Sequence, residues 1–420
     1  MTHQEAPEAF DIDVSTASVE HARDPWGVYR WLRERGPVVR VTSLGGITAY
    51  SVTRYEEVFA GLQDSRFSKD ASHLGTAVGG TSGARQAGFM LTAESRHLLN
   101  TDPPDHTRLR KLVSRAFTAR RVQQLQPRIQ EIVDALIDEM AATGEADLIA
   151  DLAFPLSITM ICELLGVPSD QRADFRAWSV ATMTPATPDH AAGDAKLREF
   201  LLALIAKRRG ELAEMEDPGS APDLLSAMVV AHDEGDRLSD AELVGMAILL
   251  LIAGHETTVG LIGAALLELC RRRDQRELLL NDPGLIGPAV EEFLRYEGPV
   301  QRATFRVAVE DVELGGVLIP AGSVVTMMVG SANHDPDRFP DPDKVDITRD
   351  TRGHVAFGRG MHMCLGALLA RQEAQIAIGS LLRRFPDYTL SKGEDALTYQ
   401  PTVIRALSSL PVHLGPAREG

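Results

Sequence analysis

The chain has 420 residues, 44% of them hydrophobic, and a formal net charge of −16, an acidic balance that excludes broad nucleic-acid binding because such binding relies on a basic footprint. Its mean hydropathy of −0.08 is that of an ordinary globular protein, not of a membrane-embedded or disordered one. Its cysteines are Cys162, Cys270 and Cys364; they form neither an even disulfide framework nor a zinc-type pair, so at least one thiol is left for other chemistry.

Residues 1–20 read as an N-terminal extension with no basic flank, apolar run or cleavage signal for export, which predicts a cytoplasmic protein. Residues 24–35 read as a helix, and the alternating run 38–53, folded about Gly45-Gly46, reads as a hairpin. A further helix is expected from about Pro103-Pro104, and it places His106 and Arg110 one turn apart on a single face. From His106 to Gln130 there is no carboxylate, while Arg108, Arg110, Lys111, Arg115, Arg120, Arg121 and Arg128 are all basic. Such a patch suits docking of an acidic partner, and equally a solvated helix face.

Helical periodicity continues over 121–140, 156–165 and 196–216. Ser239 and Glu242 make a capping-box signature, after which a helix is predicted to about Arg272, roughly 50 Å long at ~1.5 Å per residue. Its apolar run, 243–253, falls short of the ~18 residues of a membrane span, so it reads as a buried core helix and no membrane contact is expected. Strands and turns follow over 301–329, then a proline-rich meander over 334–349, then a helix from just after Cys364 to about Arg384. No internal repeat or long linker divides the chain, so one mainly α domain spanning 1–420 with a small β portion is expected.

The segment from Phe357 to Gly366 sets three glycines, Gly358, Gly360 and Gly366, around Cys364 at the entrance to a helix. Glycines permit tight turns and close approach of backbone to a flat ligand, and a helix N-terminus favours an anionic thiolate. The segment resembles the haem-binding pattern FxxGxHxCxG of the cytochrome P450 family at every specified position. The resemblance implies the P450 fold, a helical prism with small sheets, and one haem b with Cys364 as its proximal metal ligand, an arrangement that favours O–O cleavage. Met361 and Met363 stand where aliphatic and aromatic residues are more frequent, which bears on haem packing and redox poise.

Within the long helix, Ala253-Gly254-His255-Glu256-Thr257-Thr258 combines a helix-weakening glycine with a threonine able to bond back to the carbonyl of Ala253. A local opening of the helix is expected there, with Gly254 leaving room for a diatomic ligand and His255 on the helix surface. The hexapeptide looks like the family's AGxETT motif, which implies that Ala253, Gly254, Glu256 and Thr257 serve oxygen activation, Glu256 and Thr257 by delivering protons. The resemblance further implies that His106, Arg110, Arg306 and His362 hold the haem propionates. Glu292 and Arg295 match its ExxR motif, with Arg349 completing a structural network.

Electrons are then expected from a separate ferredoxin and ferredoxin reductase, since little chain follows Cys364 to house a fused reductase; the protein is expected to act as a monomer. The segments 72–99, 181–194, 300–304 and 399–404 correspond to the family's substrate-contacting regions and are rich in small, apolar and hydroxyl residues. They suit a bulky hydrophobic small-molecule substrate, a macrolide or other polyketide, with sterols and xenobiotics as alternatives. A peroxide-dependent or non-oxygenating haem-thiolate protein would share Cys364 but need neither Glu256-Thr257 nor a docking patch. A cysteine hydrolase would need a histidine base with an orienting carboxylate, and His362 has none nearby in sequence.

Overall fold

Capping and periodicity signals translate closely into helices in the computed structural model, which describes residues 9–11, 24–42, 48–70, 72–73, 96–114, 117–183, 190–215, 223–233, 238–400 and 404–418. After strand β1 (Ala9–Asp11), helix α1 (Pro25–Arg35) begins where the Asp24 carboxylate accepts from the backbone N–H groups of Trp26 and Gly27, with proline in the first turn. The expected hairpin forms as β2 (Val38–Thr42) and β3 (Thr48–Val52), antiparallel with Val38 opposite Val52; its loop lies outside the described residues. Helix α2 (Tyr55–Gly61), strand β4 (Phe67–Ser68), helices α3 (Asp105–Ser114) and α4 (Ala119–Ala141) and strand β5 (Glu145–Asp147) follow.

A π-helical turn over Leu148–Ala153 leads into α5 (Phe154–Leu164), and α6 (Arg172–Met183), α7 (His190–Ala213) and α8 (Leu224–Asp233) all pack against α9 (Asp240–Arg271). The predicted capping box starts α9: Glu242 N–H donates to the Ser239 hydroxyl at 3.2 Å, and Ser239 N–H donates to the Glu242 carboxylate at 2.7 Å. By length and composition this helix could cross a bilayer, yet 72% of its most apolar window is buried inside the protein. Its two sides feed different cores. Leu243, Ile248 and Leu251 pack with α5 to α8, whereas Ile262, Leu266 and Leu269 pack with α4 and with two helices further along, α10 (Arg273–Asn281) and α11 (Ile286–Glu297).

Strands β6 (Arg306–Ala308), β7 (Val312–Leu314), β8 (Val317–Ile319) and β9 (Val324–Met327) precede α12 (Val329–Asn333). Helix α13 (Ala367–Arg384) packs on α4, α9 and α11, and β10 (Thr389–Leu390) and β11 (Pro411–His413) complete the described chain. Among the described residues the main sheet orders its strands β1-β2-β3-β9-β6-β4, with β3 and β9 parallel and β4 antiparallel to β6. This sheet brings Lys69, just after β4, beside Arg306 at the start of β6. The mainly α architecture with a small β portion is the one expected.

Candidate active site

The cysteine loop is shaped by its glycines. Gly358 and Gly360 adopt φ of 67° and 71°, values that an L side chain rarely takes, and a Cβ on Gly360 would lie 3.1 Å from the Leu62 carbonyl. The turn closes with Cys364 N–H donating to the Phe357 carbonyl at 2.8 Å. Gly366, at the start of α13, directs its N–H to the Cys364 sulfur, and a Cβ there would meet nothing within 4 Å, so the backbone beside the sulfur presents a bare face. Solvent reaches Cys364, but protein surrounds it closely enough that burial pushes its thiol pKa up, with the Gly366 N–H, Arg110 and Arg371 pulling it back. Arg371 is itself held by Glu291 at 2.5 Å and lies over the Phe357 ring.

Next to the loop is a cluster of basic side chains, with Lys69, His106 and Arg306 buried and Arg110 and His362 half-buried. Helix α3 carries His106 and Arg110 on one face as expected: the His106 ring meets the His362 ring edge-on at 4.4 Å between centroids, and Arg110 donates to the Met363 carbonyl at 2.8 Å. Arg306 is 3% exposed and donates to the Thr304 carbonyl at 3.3 Å; burial pulls its pKa down to about 10. His362 is held far below the usual histidine range by burial and by Lys69, His106, Arg306 and Arg110. Lys69, buried among them, was not singled out from the sequence, where it is one lysine in an unremarkable Phe67-Ser68-Lys69-Asp70 run.

These surroundings fit haem b. The His106 Nε2 is buried and has no hydrogen-bond partner among the described residues, and such a group costs ~1–3 kcal/mol if left unsatisfied. Asp102 is the carboxylate that acts on both Lys69 and Arg306, which leaves positive charge uncompensated. Buried cations with an orphaned imidazole call for carboxylates, and the thiol at a helix N-terminus calls for a soft metal.

The central turns of α9 depart from expectation in three ways. Thr257 donates to the Ala253 carbonyl at 2.7 Å and Thr258 to that of Gly254 at 3.0 Å, yet the helix stays α-helical throughout and the expected opening is absent. The added hydroxyl bonds share carbonyls with the backbone ladder without displacing it. Gly254 packs against α5, where a Cβ would come within 2.2 Å of Ile161, so its missing side chain serves close helix packing. His255 is not on the surface. It is fully buried, its Nδ1 lies 2.9 Å from the Leu251 carbonyl, and its ring stands edge-on to Phe154.

Ala253 is exposed, and Gly254, Glu256 and Thr257 are partly accessible between the buried turns of α9. Glu256 is 3.6 Å from His255 Nε2, and burial raises its pKa to about 7. The structural network matches its expectation fully. Glu292 and Arg295 are both fully buried and paired bidentately at 2.7 and 2.8 Å, and Arg349 reaches Glu292 at 3.3 Å. The basic stretch divides: Arg108 pairs with Asp105 and Glu242, Arg128 with Glu131 and Glu163, and Arg110 turns to the cysteine loop. Lys111, Arg120 and Arg121 stay exposed, and Arg115 lies outside the described residues.

Residues 157–282 and 285–410 match the family Cytochrome P450. The chain is 47% identical over 419 residues to Cytochrome P450 107B1 of Saccharopolyspora erythraea, covering 99% of this chain and 100% of that protein. It is 46% identical over 398 residues to the Vitamin D(3) 25-hydroxylase of Pseudonocardia autotrophica, covering 94% of each. Among solved structures it is similar to the tirandamycin C-bound P450 monooxygenase TamI, with a TM-score of 0.86 and 41% identity over 97% of this chain and 100% of that one. Matches over this much of the sequence, on a fold and cysteine loop of this kind, show that the chain belongs to the cytochrome P450 family of haem b monooxygenases.

Proposed function

We propose that the protein inserts one oxygen atom from O2 into a bulky hydrophobic secondary metabolite of the macrolide or polyketide type, taking electrons from a separate ferredoxin. The observation that carries this reading is Cys364 itself, held on a glycine loop with a backbone N–H aimed at its sulfur. Cys364 would ligate the iron, with Gly358 and Gly366 allowing close backbone approach, and His106, Arg110, Arg306 and His362 would hold the propionates. When bound, the haem supplies oxygen activation and electron storage.

The chain's own residues handle protons. Burial raises the Glu256 pKa to about 7, which brings it near neutral pH, the condition that suits a group that must both take and give a proton. Thr257 spends its hydroxyl proton on the Ala253 carbonyl, so its oxygen lone pairs are free to accept from a water in the adjoining space. Replacing Thr257 by alanine is expected to leave substrate affinity within about twofold, while product formed per NADH consumed drops roughly tenfold or more, less than the ~100-fold low end of a full general acid–base contribution because Glu256 is retained. Hydrogen peroxide should account for the missing equivalents. Unchanged coupling would remove Thr257 from the proton route.

Electron supply is supported by the exposed cations Lys111, Arg120 and Arg121 and by the exposed apolar side chains of Met363 and Leu368 flanking Cys364. An apolar centre with a charged rim suits a transient acidic partner. The double variant Arg120→Glu, Arg121→Glu is expected to slow reduction by ferredoxin several-fold at low ionic strength, with the difference shrinking in high salt as the Debye length falls to about 3 Å. A salt-independent or absent effect would assign these residues to a solvated face.

For the substrate, Val300, Arg302, Ala303 and Thr304 are partly accessible, while 74–95, 184–189 and 401–403 of the other expected regions lie outside the described residues. The reading is supported by similarity to a structure that binds tirandamycin C, whereas similarity to a vitamin D(3) hydroxylase favours the steroid alternative. The deciding experiment is a substrate-binding spectral screen over macrolides, polyketide intermediates and steroids. Micromolar low-to-high-spin shifts confined to the first two would support the proposal, and shifts confined to steroids would replace it.

A further inference from the structure

We infer that Lys69 is a further anchor for a haem propionate, completing a charge balance that His106, Arg110, Arg306 and His362 leave unfinished. This rests on the haem reading above. Lys69 follows β4, and the pairing of Phe67 with Ala308 and Ser68 with Val307 sets it next to Arg306. It is 4% exposed. A buried ammonium without an anion is costly, and among the described residues the carboxylate acting on it is Asp102.

Asp102, however, is already engaged: it accepts from the Lys69 backbone N–H at 3.1 Å and from the Ser68 hydroxyl, and it serves Arg306 as well. Lys69 is the largest charged influence on His362 and also acts on His106 and Arg306, so its ammonium belongs to the same cluster. Lys69, Arg110 and Arg306 against Asp102 leave two positive charges unmatched. Haem b carries two propionates, while ferric iron, the porphyrin dianion and a cysteine thiolate sum to zero among themselves. Without Lys69, one propionate would find no matching cation.

Burial and Arg306 together hold the Lys69 ammonium well below the usual lysine range, and a carboxylate arriving beside it would restore its charge. The Asp102 contact is made by the backbone N–H of residue 69, so substitution of the side chain leaves that contact in place.

The test is haem transfer from the ferric holoprotein to excess apomyoglobin, with the iron midpoint potential as a second readout. Lys69→Met and Lys69→Gln should each release haem on the order of tenfold faster or more, the loss expected for a hydrogen bond to a charged group, and their potentials should move negative because a nearby cation is gone. Lys69→Arg should stay within about threefold of wild type, since it keeps charge and donors. A general packing defect would not be rescued by the larger arginine. Wild-type transfer rates and potentials in whichever uncharged variants fold would overturn the inference. The reduced carbon monoxide spectrum of the wild-type protein separates the two levels: absence of a thiolate-type band would overturn the haem reading itself, whereas a normal band with unchanged transfer in the variants removes Lys69 alone.

Discussion

Serine at position 364 is expected to abolish the strongly red-shifted Soret band that the reduced protein gives with carbon monoxide, and to reduce monooxygenation by more than about 100-fold, beyond the upper end of what loss of a supporting contact costs a metal site. The change is nearly isosteric, so it isolates the sulfur. Burial raises the Cys364 thiol pKa, and the Gly366 N–H, Arg110 and Arg371 only partly offset it; a coordinating metal removes the proton outright. A serine hydroxyl starts far less acidic than a thiol, and the same loop cannot make it an anionic donor of comparable strength. The donor strength that favours O–O cleavage is therefore lost even if haem stays bound. Retention of the red-shifted band by Cys364→Ser would place the ligand elsewhere, and Cys162, buried with its thiol pKa pushed up to about 12, is a poor replacement.

Much of this site was legible because its signals are local. The Ser239–Glu242 capping box needs only four consecutive residues, and His106 with Arg110 needs only one helical turn. The glycine spacing around Cys364 likewise reads directly from the chain. What escaped depends on partners distant in sequence. Lys69 is buried through the pairing of β4 with β6, and nothing within its own segment announces that. Gly254 and His255 were misjudged because α9 is buried on both sides: a helix without a polar stripe gives no periodic cue to which face meets which neighbour. Ile161 and Phe154, both on α5, decide the outcome for these two residues. Arg108 and Arg128 looked like surface charges until Glu242 and Glu163 were brought to them.

Replacing Arg295 by methionine is expected to destabilise the protein by about 3–5 kcal/mol, the cost of leaving a buried charge without its partner. At roughly 1 °C per kcal/mol for a chain this long, the melting temperature should fall by about 3–6 °C. Arg295 does more than pair with Glu292: it donates to the carbonyls of Asn333, Pro342 and Lys344 at 3.0, 2.9 and 3.1 Å, tying α11 to the end of α12 and to the proline-rich meander. Glu292 in turn accepts from the Asp346 N–H at 2.9 Å and from Arg349, and Arg349 bonds the Asp341 carbonyl at 2.9 Å. The meander runs on towards the cysteine loop, so loosening it should also weaken haem retention. Arg295→Lys should recover little, because one ammonium cannot make a bidentate pair and reach three carbonyls together. The double variant Glu292→Leu, Arg295→Met removes both charges, so it should be less destabilised than the sum of its single changes. Additive losses in that cycle, or a melting temperature for Arg295→Met within a degree or two of wild type, would show that the buried network is not what fastens the meander to α11.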